Sequence, residues 1–342
     1  MKALKLKKED LYTYLESLKS YGELWGPVSR GEHYSYAKLA NVRDVALQAL
    51  RTIIPPKKFF VPPRFNMFRY SEDQYTETFE DVKPRVLFGI HPCDIHGLMI
   101  LDELFLDRFP DPYYKKRREA TAILGLSCIP DDKCMARSTN THAIEEGFDL
   151  AFNELGADDY LVWVGSSLGD DLVRLNLDLF SQEIDTEDLQ KYLAWRRKRD
   201  SRYKLTFDRT GMPNIMELSW DSPLWDELAE RCLSCGACSM VCPTCGCYNV
   251  RDVSDLSLTS GVRERRWDSC MNKEYALVAG GHNFREARAE RLKLYYTHKL
   301  KAFITEYGRP SCVGCGRCID ACPVSINVAE VIRGLKGQEV KL

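Results

Sequence analysis

The sequence contains no run of about 18 apolar residues, the length that crosses a bilayer as a helix, so a membrane span is not expected. Net charge is almost absent. The 48 Lys and Arg against 50 Asp and Glu leave −2, too small an excess of either sign to draw in a polyanion, and nucleic acid is excluded as a partner. The opening Met1-Lys-Ala-Leu-Lys-Leu-Lys-Lys-Glu-Asp10 carries charge with no apolar stretch behind it, unlike a secretory leader. Neither Gly-x-Gly-x-x-Gly nor a phosphate-binding loop occurs, so no flavin or nicotinamide is expected to bind this chain alone. No nucleophile–base constellation is visible, and catalytic residues are expected to be none.

Cysteine is what the chain has in quantity. Fourteen cysteines in 342 residues are too many for chance, and the chain is too long for a small disulfide scaffold. Two stretches repeat one pattern: Cys232-x-x-Cys235-x-x-Cys238-x-x-x-Cys242-Pro243 and Cys312-x-x-Cys315-x-x-Cys318-x-x-x-Cys322-Pro323. Three thiolates at this spacing wrap three corners of an iron–sulfur cube, and the fourth, followed by proline, reaches the other cube. The spacing therefore predicts two [4Fe–4S] clusters. One takes Cys232, Cys235, Cys238 and Cys322, and the other Cys312, Cys315, Cys318 and Cys242. Zinc is the alternative for any Cys-x-x-Cys pair, but four evenly spaced cysteines ending in Cys-Pro, twice over, are a different signature.

Along the chain, helical spacing is read at Glu9–Ser20 and Val42–Arg51, with extended segments at Leu24–Val28 and His33–Lys38. The proline-rich Lys57–Pro63 run is read as extended, with Phe59 and Phe60 turned to the core. Arg85–Ile90 and Thr121–Leu126 read as strands, and Phe148–Phe152 with Tyr160–Gly165 as a strand pair. Thr186–Lys198 reads as a helix with Leu189, Tyr192 and Leu193 on one face. A polar, irregular stretch from Arg199 to Asn214 suggests two domains. Residues 1–213 are expected to form an α+β or α/β domain, and 214–342 a mostly helical two-cluster domain. Within the latter, Phe284–Tyr307 has one apolar face and is stopped by Gly308.

Eight cluster ligands taken from fourteen leave six cysteines: Cys93, Cys128, Cys134, Cys245, Cys247 and Cys270. Cys93 and Cys128 each follow a strand, where an open α/β sheet binds ligands beyond its carboxyl ends. Cys134 lies in a polar loop with no core to fill. Ligand counting predicts a third cluster on Cys93, Cys128 and Cys134 plus one of Cys245, Cys247 or Cys270, against the reading of each as a small buried hydrophobe. His91 and His96 bracket Cys93 but read as hydrogen-bonded structural residues, and Asp94 reads as the cap of the following helix. His282 reads as part of a turn. Arg231 and Arg317 stand beside cluster cysteines, where positive charge stabilises a reduced cluster, or else they are solvated surface residues.

Several runs resemble one family. They are Gly89-Ile-His-Pro-Cys93-Asp94-Ile95, Arg231-Cys-Leu-Ser-Cys235-Gly-Ala-Cys238, Cys242-Pro-Thr-Cys245-Gly-Cys247-Tyr248, Arg266-Trp-Asp-Ser-Cys270-Met271, Ala279-Gly-Gly-His-Asn-Phe284-Arg285 and Cys312-Val-Gly-Cys315-Gly-Arg-Cys318. In order, and over most of the chain, they are similar to the dicluster iron–sulfur subunit of anaerobic sulfite reductase (the A subunit) and of soluble NiFe sulfhydrogenases (the beta subunit). The resemblance implies a C-terminal part like the α-helical ferredoxins, and the extra cysteines as ligands. It implies a subunit that relays electrons from a flavin-containing NAD(P)H oxidoreductase-type subunit, or a reduced carrier, to a catalytic reductase or hydrogenase subunit. One departure stands out: relatives commonly have Cys-Phe-Cys where this chain has Cys134-Met135-Ala136. The expected protein is a cytoplasmic electron-transfer subunit. The alternatives are a sulfur or disulfide reductase working at the third cluster, and an iron–sulfur redox sensor.

Overall fold

The fold is described from a computed structural model, which covers residues 2–79, 81–256 and 258–337. Twelve strands run in chain order: β1 (Lys2–Lys7), β2 (Glu23–Arg30), β3 (His33–Lys38), β4 (Arg64–Ser71), β5 (Gln74–Glu77), β6 (Arg85–Ile90), β7 (Thr121–Leu126), β8 (Leu150–Leu155), β9 (Asp159–Val164), β10 (Phe180–Ser181), β11 (Tyr248–Ser254) and β12 (Ser260–Trp267). Eight of them form a mixed sheet in the order β10-β1-β9-β8-β7-β6-β2-β3. Its centre, β2, β6, β7 and β8, is parallel, and the flanking pairs are antiparallel.

The parallel strands are apolar on both faces because both are covered. Neighbours along the chain serve opposite sides. Phe88, Leu124 and Phe152 join Leu4, Leu6, Tyr14 and Leu15 on one face. Leu87, Ile123 and Ala151 join Phe60, Ile95, Leu98 and Phe105 on the other. Each such buried side chain contributes about 1.5–3 kcal/mol relative to exposure. β1 was not legible beforehand, since its lysines mask the period-two Leu4 and Leu6; Lys5, on the opposite face, pairs with Asp188 at 2.8 Å.

Several expectations are corrected. Val42–Arg51 is not a helix: only Val42–Asp44 makes a 3-10 turn, because Ala46 donates to Pro27 O and Val45 bridges to Val28, taking the segment along the sheet edge. Pro56–Phe59 is likewise a 3-10 turn rather than extended, though Phe59 and Phe60 are buried as read. In the helix Thr186–Asp200, Tyr192 is buried while Leu189 and Leu193 are exposed. The long apolar-faced helix begins at Arg288, widens into a π turn at His298–Ala302, and resumes as Phe303–Tyr307. Phe284 lies outside it and is 68% exposed.

The C-terminal region is helix-rich, with one exception that sequence periodicity missed. β11 and β12 form a hairpin between the two cysteine motifs and extend β4 and β5 into a four-stranded antiparallel sheet, β11-β12-β4-β5. That sheet takes strands from both sides of residue 213. The second core gathers Trp225, Leu228, Met271, Leu292, Tyr295, Tyr296, Leu300 and Val331 around the cysteine loops.

Candidate metal centres

The two motifs fold alike because both need the same two left-handed residues. Ser234 and Gly314 sit at φ 54° and 61°, and Gly236 and Gly316 at φ 73° and 78°, each of the latter starting a short helix, Ala237–Met240 or Arg317–Ala321. Such turns bring the thiols of one loop to a common side. They also aim backbone N–H groups at sulfur: Ser234 N donates to Cys232 Sγ at 3.4 Å, and Gly314 N and Arg317 N do the same for Cys312 and Cys315. Ser234, which lacks glycine's freedom, is held there by its hydroxyl donating to Met271 O at 2.7 Å and accepting from Arg291.

Cys238, Cys242, Cys312, Cys315 and Cys318 line one cavity with Tyr295, Tyr296 and Lys299. Cys232 neighbours Cys322 and Cys235, and Cys238 neighbours Cys232, Cys242, Cys322 and Cys235. The members of each predicted foursome thus lie near one another, and Cys238 adjoins both sets. Burial, then the neighbouring sulfurs, pushes the Cys238 and Cys312 thiols up to about 12. Thiols this crowded resist ionising together, and irons bound among them reverse that penalty, so the donor set fits a cluster. No two cysteines are joined in a disulfide. Among the described residues no three His, Cys, Asp or Glu close on one point as ligands of a single ion must. A cluster asks something else, since it offers each thiol its own iron.

The first domain grips the second loop. Met135 N donates to Gly314 O at 2.7 Å, Thr141 Oγ1 to Val313 O at 2.7 Å, and Arg51 Nε to Cys315 O at 2.7 Å while its other nitrogens bind Asp131. A Cβ on Gly314 would lie 2.5 Å from the Met135 carbonyl carbon. Gly314→Ala is thus expected to cost at least about 1–3 kcal/mol from the backbone strain alone, read as faster cluster bleaching under chelator in anaerobic spectra; an unchanged bleaching rate would refute the grip.

This grip carries Cys134 to Cys315. Cys93 and Cys134 each have Cys315 as a charged neighbour, Cys134 also has Cys128, and Tyr203 faces all three of Cys134, Cys128 and Cys93. Cys134 accepts from Ala136 N, as the motif cysteines accept from the residue two on. His91 is buried, its Nδ1 2.9 Å from Leu126 O and Nε2 2.6 Å from Ala49 O. Both nitrogens face carbonyl oxygens, which only accept, an arrangement that favours the doubly protonated ring. Burial opposes that charge, but the adjoining Cys128 sulfur and the two carbonyls raise its pKa to about 9. His91 is therefore structural, as is His96, whose Nε2 lies 3.1 Å from Ala143 O.

Asp94 is not the cap of its helix, where His91 occupies that position; it lies in the first turn. Asp94 instead meets the Arg317 guanidinium in a two-pronged pair at 2.6 and 2.8 Å, and Arg317 Nε donates to Thr52 O. Both side chains are buried, at 1% and 4% exposure, so Arg317 is no surface residue. Arg231 is half-exposed and pairs with Glu330 at 2.8 Å.

Cys245, Cys247 and Cys270 stand elsewhere. None of them is gathered with Cys93, Cys128 and Cys134: the three line a separate cavity with Tyr275, Arg285, Lys299 and His298. The Cys-Gly-Cys turn between Cys245 and Cys247 is pressed against Leu104 and Phe105. Sequence reasoning also missed Lys57 and Lys299, 2% and 3% exposed, which reach Cys245 O at 2.9 Å and Thr244 Oγ1 at 2.7 Å. A lysine gives no periodic signal of burial.

Residues 231–326 match the family model described as a 4Fe-4S dicluster domain. The chain is 41% identical over 332 residues to the "Sulfhydrogenase 2 subunit beta" of Pyrococcus furiosus, an alignment covering 97% of this chain and 98% of that one. No solved structure matches it. Among the described residues no helix is long and apolar enough to cross a membrane. With two matched cysteine loops, a two-cluster domain and near end-to-end similarity, the chain belongs to the iron–sulfur beta-subunit family of the sulfhydrogenases.

Proposed function

We propose that this chain conducts electrons through a line of iron–sulfur centres, from a flavin-containing NAD(P)H oxidoreductase-type subunit or a reduced carrier to a catalytic reductase or hydrogenase subunit. The coarser role is that of its family: an electron-transfer, non-catalytic subunit carrying two [4Fe–4S] clusters within a multi-subunit oxidoreductase. A cubane takes up or gives up one electron with little change of shape, so what the chain supplies is spacing, burial and hydrogen bonds to sulfur.

The observation that carries the reading is the run of thiol sets side by side. Cys232, Cys235, Cys238 and Cys322 would hold one cluster, and Cys312, Cys315, Cys318 and Cys242 its neighbour. Cys93, Cys128 and Cys134 adjoin Cys315 and would hold a third, with Ala136 leaving its remaining corner to a non-cysteine ligand. Cys235 is exposed at one end. At the other end Cys128 lines a cavity of ≈ 750 Å³ with His91, Trp195, Lys191 and Lys198. Residues 1–213 thus act as the cradle and third station, and 214–342 as the two-cluster conductor. The compartment this implies is the cytoplasm.

Purification of the native complex under anaerobic conditions tests the assignment. The chain is expected to emerge with a flavin-containing subunit and a catalytic one, and to show no reductase turnover alone. Cys93→Ser in that complex is expected to remove one EPR signal and slow carrier-to-acceptor transfer by tenfold or more, while the partners remain bound. A chain that turns over sulfur or disulfide substrate unaided would favour the reductase alternative instead.

A further inference from the structure

We infer that the open face of the four-stranded sheet β11-β12-β4-β5 is a docking surface for a partner subunit that presents a row of carboxylates. The inference rests on the chain's place in a multi-subunit oxidoreductase, and not on which residues hold its clusters.

Register defines the two faces, because side chains alternate along a strand. Asn249 stands opposite Arg266, and Arg266 opposite Arg64; in the next row of the same face Arg251 stands opposite Glu264, and Glu264 opposite Asn66. The reverse face carries Arg265, Trp267 and Phe65 and packs on the first domain. There Arg265 pairs with Asp111, Trp267 Nε1 donates to Val61 O at 2.8 Å, and Phe65 meets the Tyr113 ring. The arginine face has no such cover: Arg64 and Arg251 are 69% and 44% exposed, and Arg266 is exposed as well.

Three guanidiniums share one carboxylate here, an excess of two positive charges. Glu264, 0% exposed, accepts from Arg64 Nε through one oxygen and from Arg251 Nε at 2.8 Å through the other, which holds both guanidiniums in place. Among the described residues the Arg266 side chain has no partner, and it faces Arg64 directly across the ladder. Like charges directly opposite one another weaken a sheet. Edge protection does not account for them either, since charges guard edge strands and β12 and β4 are the two inner strands. The arrangement disfavours the fold and complements carboxylates arriving from outside, which arginine's planar fork takes in two hydrogen bonds. A flat sheet face encloses nothing, so a protein surface bearing several acidic side chains suits it better than a small anion. Arg266 and Arg64 lie at the hairpin end that joins the Cys-Gly-Cys turn, and a subunit seated there stands beside the dicluster domain.

The test uses the anaerobically isolated native complex. Arg266→Glu is expected to weaken retention of one partner subunit by at least about tenfold at low salt, with iron content unchanged, and wild-type retention is expected to fall as salt rises. Because the substitution turns a like-charge pair into an opposite one, the thermal midpoint of the full chain should hold or rise. Arg266→Gln, expected to give a smaller loss in the same direction, serves should the first variant misfold. Phenylglyoxal labelling with mass spectrometry is expected to modify Arg266 in the free chain and to spare it in the complex. Wild-type retention by both variants at every salt, or equal labelling in the two states, would overturn the inference alone. So would inorganic phosphate protecting Arg266 in the free chain as fully as the complex does, which would mark a small-anion site. A wild-type chain that isolates with no other subunit would overturn the electron-relay reading as well.

Discussion

Cys322→Ala is expected to remove about four irons per chain, and the cluster it should remove is the one assigned to Cys232, Cys235 and Cys238, some ninety residues earlier in the chain, not the one on its own loop. Cys242→Ala is expected to do the converse and extinguish the cluster on Cys312, Cys315 and Cys318. The proposed crossing is supported by two placements: Cys242 lines the cavity of Cys312, Cys315 and Cys318, and Cys322 neighbours Cys232. Losing a fourth ligand leaves one iron exposed to solvent in a site whose remaining thiols are crowded and buried, so full loss rather than a three-iron remnant is expected for the deeply enclosed Cys242 set. Iron analysis gives the stoichiometry, and EPR of each variant shows which signal is gone. If each variant instead lost the signal of its own loop, the assignment of ligands across the loops would be wrong.

Replacing Asp94 by Asn should lower stability by ~3–5 kcal/mol, the usual consequence of stranding one member of a buried pair. Arg317 would keep Thr52 O but lose both oxygens that balance its charge. It also faces Cys315, an anion once that sulfur binds iron, so the variant is expected to shift the midpoint potential of the adjoining cluster. The double variant Asp94→Leu with Arg317→Met, apolar and of similar volume, is expected to recover most of the stability but not the potential. Thermal midpoints at one scan rate and anaerobic redox titration separate the two effects. A single variant as stable as the wild type would show the pair to be ornamental.

The two-cluster domain was legible because cysteine spacing is set by the cluster it must wrap, and that constraint acts locally. The parallel strands were legible for a similar reason, since burial on both faces leaves uninterrupted apolar runs such as Val86–Ile90. What escaped was set by distant partners. β11 is exposed along its whole length and β12 is charged and only partly buried. They are strands because β4 offers β12 a hydrogen-bonding edge and β12 offers one to β11, which no local pattern announces. Asp94 looked like a cap because its true partner lies 223 residues away. Lys57 and Lys299 are buried against Cys245 O and Thr244 Oγ1, partners distant in the chain, and hydropathy counts them as surface.

The sheet shared by both halves of the chain has a mechanical consequence. Seven register pairs join β4 to β12, so swinging one half from the other would break a continuous ladder rather than bend a tether. A carrier-like swing of one half between donor and acceptor would have to unzip this shared sheet, so any partner that exchanges electrons with the chain is expected to come to it.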